Sequence, residues 1–303
     1  MRKVLVIGSA NVDLSFYSPF PKEGETIGGT SFKTAVGGKG ANQSAAASLS
    51  GAKTTFICSL GNDEEGLRVR KELLDKGVES VVHESKNRTG AAFINVDPLG
   101  RNKIVVVKGA NGDLTPSFLE ANEQYFRETD CVLMQLEIPV ETAKKAAELG
   151  KKYGKTVILN PAPVKLLDRE ILSMIDYITP NEHEIKAIIS SLSDKEFLGD
   201  EEEAAFLLSL GVGNVIVTQG SEGSLLVNKD LVWHCPSRKV KAVDTVAAGD
   251  CFSGVFARYL DLGIQEAMLR ASVASSITVS RFGALPSLPN EEEILEAFSS
   301  WEK

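Results

Sequence analysis

Short apolar runs alternate along the chain with longer segments whose apolar residues recur every three to four positions. Such runs are typical of strands buried on both faces, and the longer segments are typical of amphipathic helices. The order strand, helix, strand predicts a three-layer αβα fold of the α/β class, in which a doubly wound, mostly parallel sheet lies between two layers of helices. The predicted strands are 4–7, 54–60, 131–136, 157–160, 177–179 and 215–218, and the clearest helices are 41–49, 64–76 and 140–153.

Two β-rich excursions interrupt this alternation. One covers 14–17 and 26–34, and the other is a hairpin of 91–96 and 103–107. We expect one domain over 1–303, with a small β-sheet formed by about 12–35 and 89–108. This sheet is either a lid over a ligand site or a decoration of the sheet edge.

The segment 37–43 has the sequence GGKGANQ and leads directly into a predicted helix. Glycines allow positive φ and a close approach of the backbone to a ligand. The segment is not a Walker A loop, because the first glycine of that motif is replaced by Lys33 and Lys39 is followed by Gly40. A structural turn is the alternative, but the polar Lys39 and Asn42 favour a binding loop.

A second segment combines small residues with an acid. After a β-rich run at 240–243 come Ala247, Ala248, Gly249 and Asp250, and then apolar residues at helical spacing. A helix N-terminus offers free N–H groups and partial positive charge to a phosphate. Asp250 beside it could accept a proton, or it could serve only as the helix N-cap.

Polar residues collect at the predicted strand ends, where open α/β sheets bind ligands. Asn11 and Asp13 follow the first strand, although Asx turns would explain them equally well. The glycine pattern of a dinucleotide-binding turn fails there, because Ala10 and Asp13 occupy two of its glycine positions. The other polar residues at predicted strand ends are Glu137, Asn160, Asn181, Thr218 and Asp250.

Asn181 and Glu184 lie three positions apart at a predicted helix start after Pro180. Both can therefore lie on one helix face. One carboxylate and one amide suit a hydrated Mg²⁺ ion. A simple capped helix is the alternative.

Composition narrows the function classes. With 33 basic and 41 acidic residues the net charge is −8, and no basic cluster could follow a nucleic-acid backbone. The four cysteines and three histidines show no zinc spacing or disulfide framework, which favours a reducing cytoplasm. The apolar run near the N-terminus lacks a signal-peptide cleavage pattern, and no run is long enough to span a membrane.

Taken together, the motifs resemble the ribokinase-like PfkB-type carbohydrate kinases. The resemblance rests on GGKGANQ at 37–43, TPNEHE at 179–184 and DTVAAGD at 244–250, in the order of that family. It is supported by NVD at 11–13, MQLE at 134–137, NPAP at 160–163, TQGSEG at 218–223 and RFGALPS at 281–287.

The resemblance implies a chemical role for each matched position. Asp250 would be the catalytic base, and Ala247, Ala248 and Gly249 would form an anion hole for the transferring phosphate. The implied sugar-binding residues are Asn11, Asp13, Gly37, Gly38, Lys39, Asn42, Glu137 and Asp250. The implied nucleotide-binding residues are Asn181, Thr218, Gly220, Ser221, Gly223, Gly249 and Ser272.

The resemblance also implies cofactors. Asn181 and Glu184 would organise Mg²⁺ indirectly, and K⁺ would activate the enzyme near the anion hole. The implied K⁺ positions are Asp244, Val246, Thr278, Arg281, Gly283 and Ser287. The chain departs from the expected residue types at Cys251, Ser253 and Ser272.

The implied reaction is ATP-dependent phosphorylation of the primary hydroxyl of D-ribose or a similar pentose. Deoxyribose or a nucleoside is the alternative acceptor, and a non-catalytic sugar sensor is the alternative class. The small sheet would act as a lid and also join two copies into a homodimer.

Overall fold

The computed structural model describes residues 1–301, which form two separate β-sheets and helices that pack on the larger one. The strands are β1 Lys3–Ile7, β2 Asn11–Tyr17, β3 Ser31–Gly37, β4 Lys53–Gly61, β5 Glu79–Ser85, β6 Gly90–Val96, β7 Asn102–Val107, β8 Cys131–Met134, β9 Thr156–Leu159, β10 Tyr177–Ile178, β11 Asn214–Thr218, β12 Ser224–Asn228 and β13 Val232–Cys235. The helices are α1 Lys39–Leu49, α2 Glu64–Leu74, α3 Pro116–Ala121, α4 Glu123–Glu128, α5 Val140–Lys152, α6 Arg169–Ser173, α7 Glu182–Ser190, α8 Asp200–Ser209, α9 Ala248–Tyr259, α10 Ile264–Val279 and α11 Glu291–Ser299.

The large sheet has nine strands in the order β13-β12-β11-β10-β9-β8-β1-β4-β5. Seven of them run parallel, and β12 and β13 join one edge as antiparallel strands. The predicted mostly parallel α/β fold with a separate small sheet is therefore confirmed. No helix within residues 1–301 is long and apolar enough to cross a membrane.

The first strand shows why the sheet is covered on both faces. Val4 and Val6 pack into one apolar cluster, which includes residues of α1, α9 and α10. Leu5 and Ile7 pack into a second cluster on the other face, which includes residues of α5 and α7. Because side chains alternate along a strand, a continuous apolar run is what two such clusters require.

The small sheet has the order β3-β2-β6-β7. Its β6 and β7 form the predicted antiparallel hairpin, in which Asp97 accepts hydrogen bonds from the N–H groups of Leu99 and Arg101. Gly100 has a φ of 78°, which explains a glycine at that position of the turn.

Three details of the element prediction were wrong. The run 240–243 forms no strand, since it borders a cavity rather than a neighbouring strand, and the N–H of Val243 bonds the carbonyl of Val279. Asn11 and Asp13 lie within β2 rather than in a loop. The stretch 26–30 is not a strand. The strands β5, β12 and β13 were not anticipated; β5 and β13 are the edge strands, which carry a weaker apolar signal.

Candidate active site

Two adjoining cavities lie beside the carboxyl ends of β9, β10 and β11. The smaller has a volume of about 210 Å³ and contains Asp250, and the larger has a volume of about 480 Å³. They share the residues Asn181, Thr218, Thr245, Ala248 and Gly249. The start of α9 therefore borders both spaces.

An unusual backbone conformation precedes α9. Ala247, its N-cap, has φ 62° and ψ 8°, and it is the only non-glycine residue with positive φ in the described part of the chain. That conformation costs an alanine about 1 kcal/mol. It sets the direction in which the first N–H groups of α9 emerge, and these have no acceptor within the helix. Of them, the Ala248 N–H makes only a long bond, 3.4 Å to the carbonyl of Thr245.

Gly249 follows in the first turn of α9. A Cβ built on this residue would meet no protein atom within 4 Å. Its φ is also not in the positive range, so neither packing nor backbone conformation requires a glycine. The absence of a side chain leaves space next to the free N–H groups, as a bound phosphate would need.

Asp250 is the third residue of α9 and is 7% exposed. Its Oδ2 accepts a hydrogen bond from Asn42 Nδ2 and its Oδ1 accepts one from Gln43 Nε2, each at 2.9 Å. Ala247 is the N-cap, and no side chain caps the helix. The interpretation of Asp250 as an N-cap was therefore wrong, and α1 holds its carboxylate instead.

A second group of charged residues lies close to Asp250. Glu137 accepts hydrogen bonds from the Ser9 hydroxyl and from the N–H of Lys39, the latter at 3.2 Å. Burial, together with the negative charges of Glu137 and Asp250, raises the pKa of Asp13 to about 6. Burial lowers the pKa of Lys39, but attraction to Asp250, Glu137 and Glu184 outweighs it and leaves the pKa above its ordinary value. Sites predicted from distant parts of the sequence thus share one electrostatic environment.

Two asparagines beside this group differ in what they leave free. The Asn42 Oδ1 atom is buried and has no hydrogen-bond partner. Asn11 Oδ1 instead accepts from Asn111 Nδ2 at 2.7 Å, and Asn111 also bonds both backbone polar groups of Ala10. An unpaired buried oxygen is costly without a ligand, so Asn42 is the better candidate to bind a hydroxyl.

The glycines of segment 37–43 have a reason within the protein. A Cβ on Gly37 would clash with the Asp13 carboxylate, one on Gly38 with Ala10, and one on Gly40 with Gly8 and Ser9. Only Gly38 has a positive φ, 90°. These glycines therefore allow a close approach to segment 8–13. Within segment 37–43, Lys39 reaches Glu137, and Asn42 and Gln43 reach Asp250.

All seven predicted nucleotide-binding residues line the larger cavity: Asn181, Thr218, Gly220, Ser221, Gly223, Gly249 and Ser272. The hydroxyl of Ser272 donates to the carbonyl of Pro236 at 3.0 Å. It can therefore only accept a further hydrogen bond from a ligand.

Asn181 and Glu184 form a capping box at the start of α7. Asn181 Oδ1 accepts from the N–H groups of His183 and Glu184, and Glu184 Oε2 accepts from the N–H of Asn181. Both residues also line the smaller cavity. The capping alternative is thus present in the structure, and one carboxylate oxygen of Glu184 remains outside the box.

The predicted K⁺ positions come from the segment before α9 and from the end of α10 with the segment after it, and these two parts contact each other. Asp244 accepts from the N–H groups of Val246 and Gly283, each at 3.0 Å. The hydroxyls of Thr278 and Ser287 donate to the carbonyls of Ala274 and Ala284, and the guanidinium of Arg281 pairs with Glu293. Only oxygen ligands are on offer, which suits a hard cation, and most would have to be backbone carbonyls.

Several residues that support the site were given no chemical role from the sequence, although Asn160 was among the polar residues at the predicted strand ends. Gln43 contacts Asp250, Gln135 and Asn160 contact Gln43, and Thr245 lines both cavities. Gln43, Gln135 and Asn160 stand in the motifs discussed above. Nothing in the sequence shows that three residues so far apart hydrogen-bond one another.

The chain matches the family model of the pfkB family carbohydrate kinases over residues 1–291. It belongs to that family and is a carbohydrate kinase, a phosphotransferase with an alcohol as acceptor.

Individual relatives are similar along the whole chain. This chain is 40% identical to the bifunctional ribokinase/ribose-5-phosphate isomerase A of Fructilactobacillus sanfranciscensis. The match covers 99% of this chain but only 56% of that relative's length. The ribokinase structure from Thermotoga maritima is 38% identical, with a TM-score of 0.93 and coverage of 99% of this chain and 100% of the other. Arabidopsis thaliana ribokinase complexed with ribose and ATP is 31% identical, with a TM-score of 0.91 and 99% coverage of both chains.

Proposed function

We propose that this enzyme transfers the γ-phosphoryl group of ATP to the primary hydroxyl of D-ribose, giving ribose 5-phosphate and ADP. One observation carries the proposal: the start of α9 places Asp250 beside free backbone N–H groups, where two cavities adjoin. The similarity to ribokinases, one of them solved with ribose and ATP, supports the choice of both substrates.

On the acceptor side, Asp250 takes the proton of the sugar hydroxyl as its oxygen bonds to phosphorus. The bond between the γ-phosphorus and the bridging oxygen breaks, and its electron pair leaves with ADP. Asp13, Asn42 and Glu137 hold the remaining hydroxyls, with Asn11, Gly37, Gly38 and Lys39 completing the sugar side. Holding hydroxyl and phosphate in line is a large part of catalysis in such reactions.

On the donor side, the N–H groups of Ala248 and Gly249 face the charge that develops on the transferring phosphate. The positive end of the α9 dipole and the Lys39 ammonium act in the same direction. Asn181, Thr218, Gly220, Ser221, Gly223 and Ser272 form the walls that hold the nucleotide.

Two cations complete the proposal. Glu184, with Asn181, would hold Mg²⁺ through its waters, because only one carboxylate oxygen there is outside the capping box. Bound Mg²⁺ neutralises phosphate charge. K⁺ would lie between the loops of Asp244 and Gly283, with Val246, Thr278, Arg281 and Ser287 offering mainly carbonyl oxygens, and it would stiffen the segment before Ala247.

The small sheet is proposed to cover the sugar and to join two copies of the chain. On its edge strand β7, Ile104, Val105, Val106 and Val107 are 53%, 63%, 51% and 51% exposed. A run of exposed apolar residues on an edge strand favours pairing with another chain. A reducing cytoplasm suits Cys58, Cys131, Cys235 and Cys251, which are all buried and form no disulfide in the described part of the chain.

The test is ADP release from ATP with D-ribose, 2-deoxy-D-ribose, D-fructose and nucleosides, each with and without K⁺. We expect D-ribose to give the highest kcat/KM and K⁺ to raise it. A higher value with 2-deoxy-D-ribose would reassign the substrate. Absence of ADP release with every acceptor would leave a sugar sensor as the better description.

A further inference from the structure

A chain of buried amide side chains lies behind the Asp250 carboxylate. Gln135 Nε2 donates to Gln43 Oε1 at 2.6 Å, and Gln43 Nε2 donates to Asp250 Oδ1 at 2.9 Å and to Asn160 Oδ1 at 3.1 Å. Asn160 Nδ2 then donates to the carbonyl of Thr179 at 2.9 Å. Gln43 and Gln135 are fully buried.

These bonds leave the Gln43 amide only one orientation. An amide has two N–H hydrogens and one carbonyl oxygen, and here both hydrogens and the oxygen have partners. Turning the amide over would bring its oxygen against the Asp250 carboxylate and against Asn160 Oδ1. Three hydrogen bonds would be lost and two pairs of acceptors would face each other, which is costly in a buried site.

The chain also ties Asp250 to the edge of the large sheet. Asp250 lies on α9 and Gln43 on α1, whereas Gln135, Asn160 and Thr179 directly follow β8, β9 and β10. Gly8 leaves space for the Gln135 side chain, since a Cβ on Gly8 would clash with Gln135 Oε1. Three strand ends thus fix, through one side chain, the carboxylate that borders the smaller cavity.

We propose that Gln43 is a positioning residue for the phosphoryl transfer: its amide, held by Gln135 and Asn160, fixes the rotation of the Asp250 carboxylate. This inference rests on the proposed function. Gln43 is fully buried and all its amide groups already have protein partners, so it acts through Asp250 rather than on a substrate. A hydrogen bond donated to a carboxylate stabilises the charged form that accepts the proton.

Other charges also act on Asp250. Lys39 attracts it, Asp13 repels it, and Glu137 and Glu184 lie within range of Lys39. The buried Cys251 thiol is its neighbour in sequence. Since none of these is removed with Gln43, a change in the pH profile of a Gln43 variant reports on the lost amide.

The experiment compares Gln43→Met, Gln135→Met and the double variant, because methionine keeps the size of glutamine but makes no amide hydrogen bond. For Gln43→Met we expect kcat to fall about 10- to 100-fold, the range for losing a hydrogen bond to a charged group. The KM for ribose should change less than about threefold, and the acidic limb of the kcat–pH profile should move up by about one pH unit. Gln135→Met should lower kcat by about three- to tenfold.

The double variant separates this role from general packing. Because Gln135 acts through Gln43, the double variant should be no slower than Gln43→Met within about twofold. Ser50→Ala is the matched control: it removes the hydroxyl that donates to the carbonyls of Ala46 and Ala47 at the far end of α1, and it should leave kcat and its pH profile unchanged.

The outcomes are distinguishable. An inactive wild-type protein refutes the proposed function. An active wild type whose folded Gln43→Met variant keeps its kcat and pH profile refutes the positioning role, as do losses that simply multiply in the double variant. If Gln43→Met does not fold, as judged by its thermal unfolding, Gln135→Met decides by the same two readouts.

Discussion

Asp13 and Asp250 share a cluster of acids but have different surroundings. Asp250 accepts two side-chain hydrogen bonds, from Asn42 and Gln43. Asp13 has its pKa raised to about 6 by burial and by the charges of Glu137 and Asp250. The environment of Asp250 thus supplies donors to its carboxylate, whereas that of Asp13 penalises its charge.

Replacing Asp250 tests its role as a base. Asp250→Ala should lower kcat by about 10²- to 10⁴-fold, the usual contribution of a positioned base. Ribose binding, measured by calorimetry, should stay largely intact, because the other sugar-side groups remain. A variant that keeps most of its turnover would rule out the base assignment.

Asp13→Asn should separate binding from stability. The folded pKa of Asp13 is raised from 3.8, so its favourable contribution is complete below pH 3.8 and is lost as the pH rises through about 6. We therefore expect the free energy of unfolding of the variant to exceed that of the wild type by about 3 kcal/mol at pH 8, with no such gain at pH 3.5. Denaturant unfolding at both pH values measures this, and ribose affinity should fall.

The exposed Asp230→Asn serves as the control, since Asp230 is 76% exposed and bonded through its backbone N–H rather than buried among acids. Its effect should be small at either pH. A gain in Asp13→Asn that does not depend on pH would contradict the electrostatic explanation.

Gly249→Ala places a methyl group where the transferring phosphate is proposed to lie. Folding stability should be unchanged or higher by up to about 1 kcal/mol, because alanine favours a helix and the Cβ meets no protein atom. Turnover should fall about 100-fold from the displaced phosphate. Gly112→Ala, whose Cβ also meets open space, should not affect turnover.

At the scale of elements, the site depends on how closely α1 and α9 cross. Gly254 of α9 has no room for a Cβ, which would clash with the carbonyl of Gln43 and lie 2.8 Å from Ala46 Cβ. The small residues of α1 thus allow the approach that brings Asn42 and Gln43 to Asp250. The sequence sets where Asn42, Gln43 and Asp250 lie along their own helices. The contact between the two helices is set by packing.

Gly254→Ala should therefore damage stability and activity together. We expect a loss of about 1–3 kcal/mol in the free energy of unfolding from overpacking, together with a lower kcat. Gly150→Ala on α5 crowds Val157 of β9 and should cost similar stability without a comparable loss of kcat. Equal kcat in both variants would show that the crossing does not set the geometry of Asp250.

At the scale of the whole molecule, the small sheet offers two faces to a partner. Side chains alternate along β7, so Ile104 and Val106 share a face with Asp13, whereas Val105 and Val107 lie on the opposite face. A dimer could cover either one.

Two double variants distinguish the faces: Ile104→Lys with Val106→Lys, and Val105→Lys with Val107→Lys. The pair on the buried dimer face should give monomers in light scattering, because paired lysines at an apolar interface are strongly unfavourable. The other pair should leave the mass unchanged. A wild-type monomer at micromolar concentration would refute the proposed dimer.

The sequence by itself determined the α/β class and the hairpin of the small sheet, and it pointed to the segments that are proposed to carry the chemistry. Apolar runs such as 4–7 can bury the side chains on both faces of the strand only between two layers of helices. The small residues before Asp250 indicate a helix start near a ligand. It misjudged 240–243, where apolar residues border a cavity, because periodicity records apolar character and not what covers it.

Only the tertiary structure decided which polar residues meet. Whether Asp250 capped its own helix, and whether the glycines of 37–43 served a ligand or a neighbouring loop, depended on contacts between segments far apart in the chain. The amides of Gln43, Gln135 and Asn160 meet because three strand ends and two helices converge at one edge of the sheet. Hydrogen bonds require distances near 3 Å, and such distances are set by packing rather than by any local pattern.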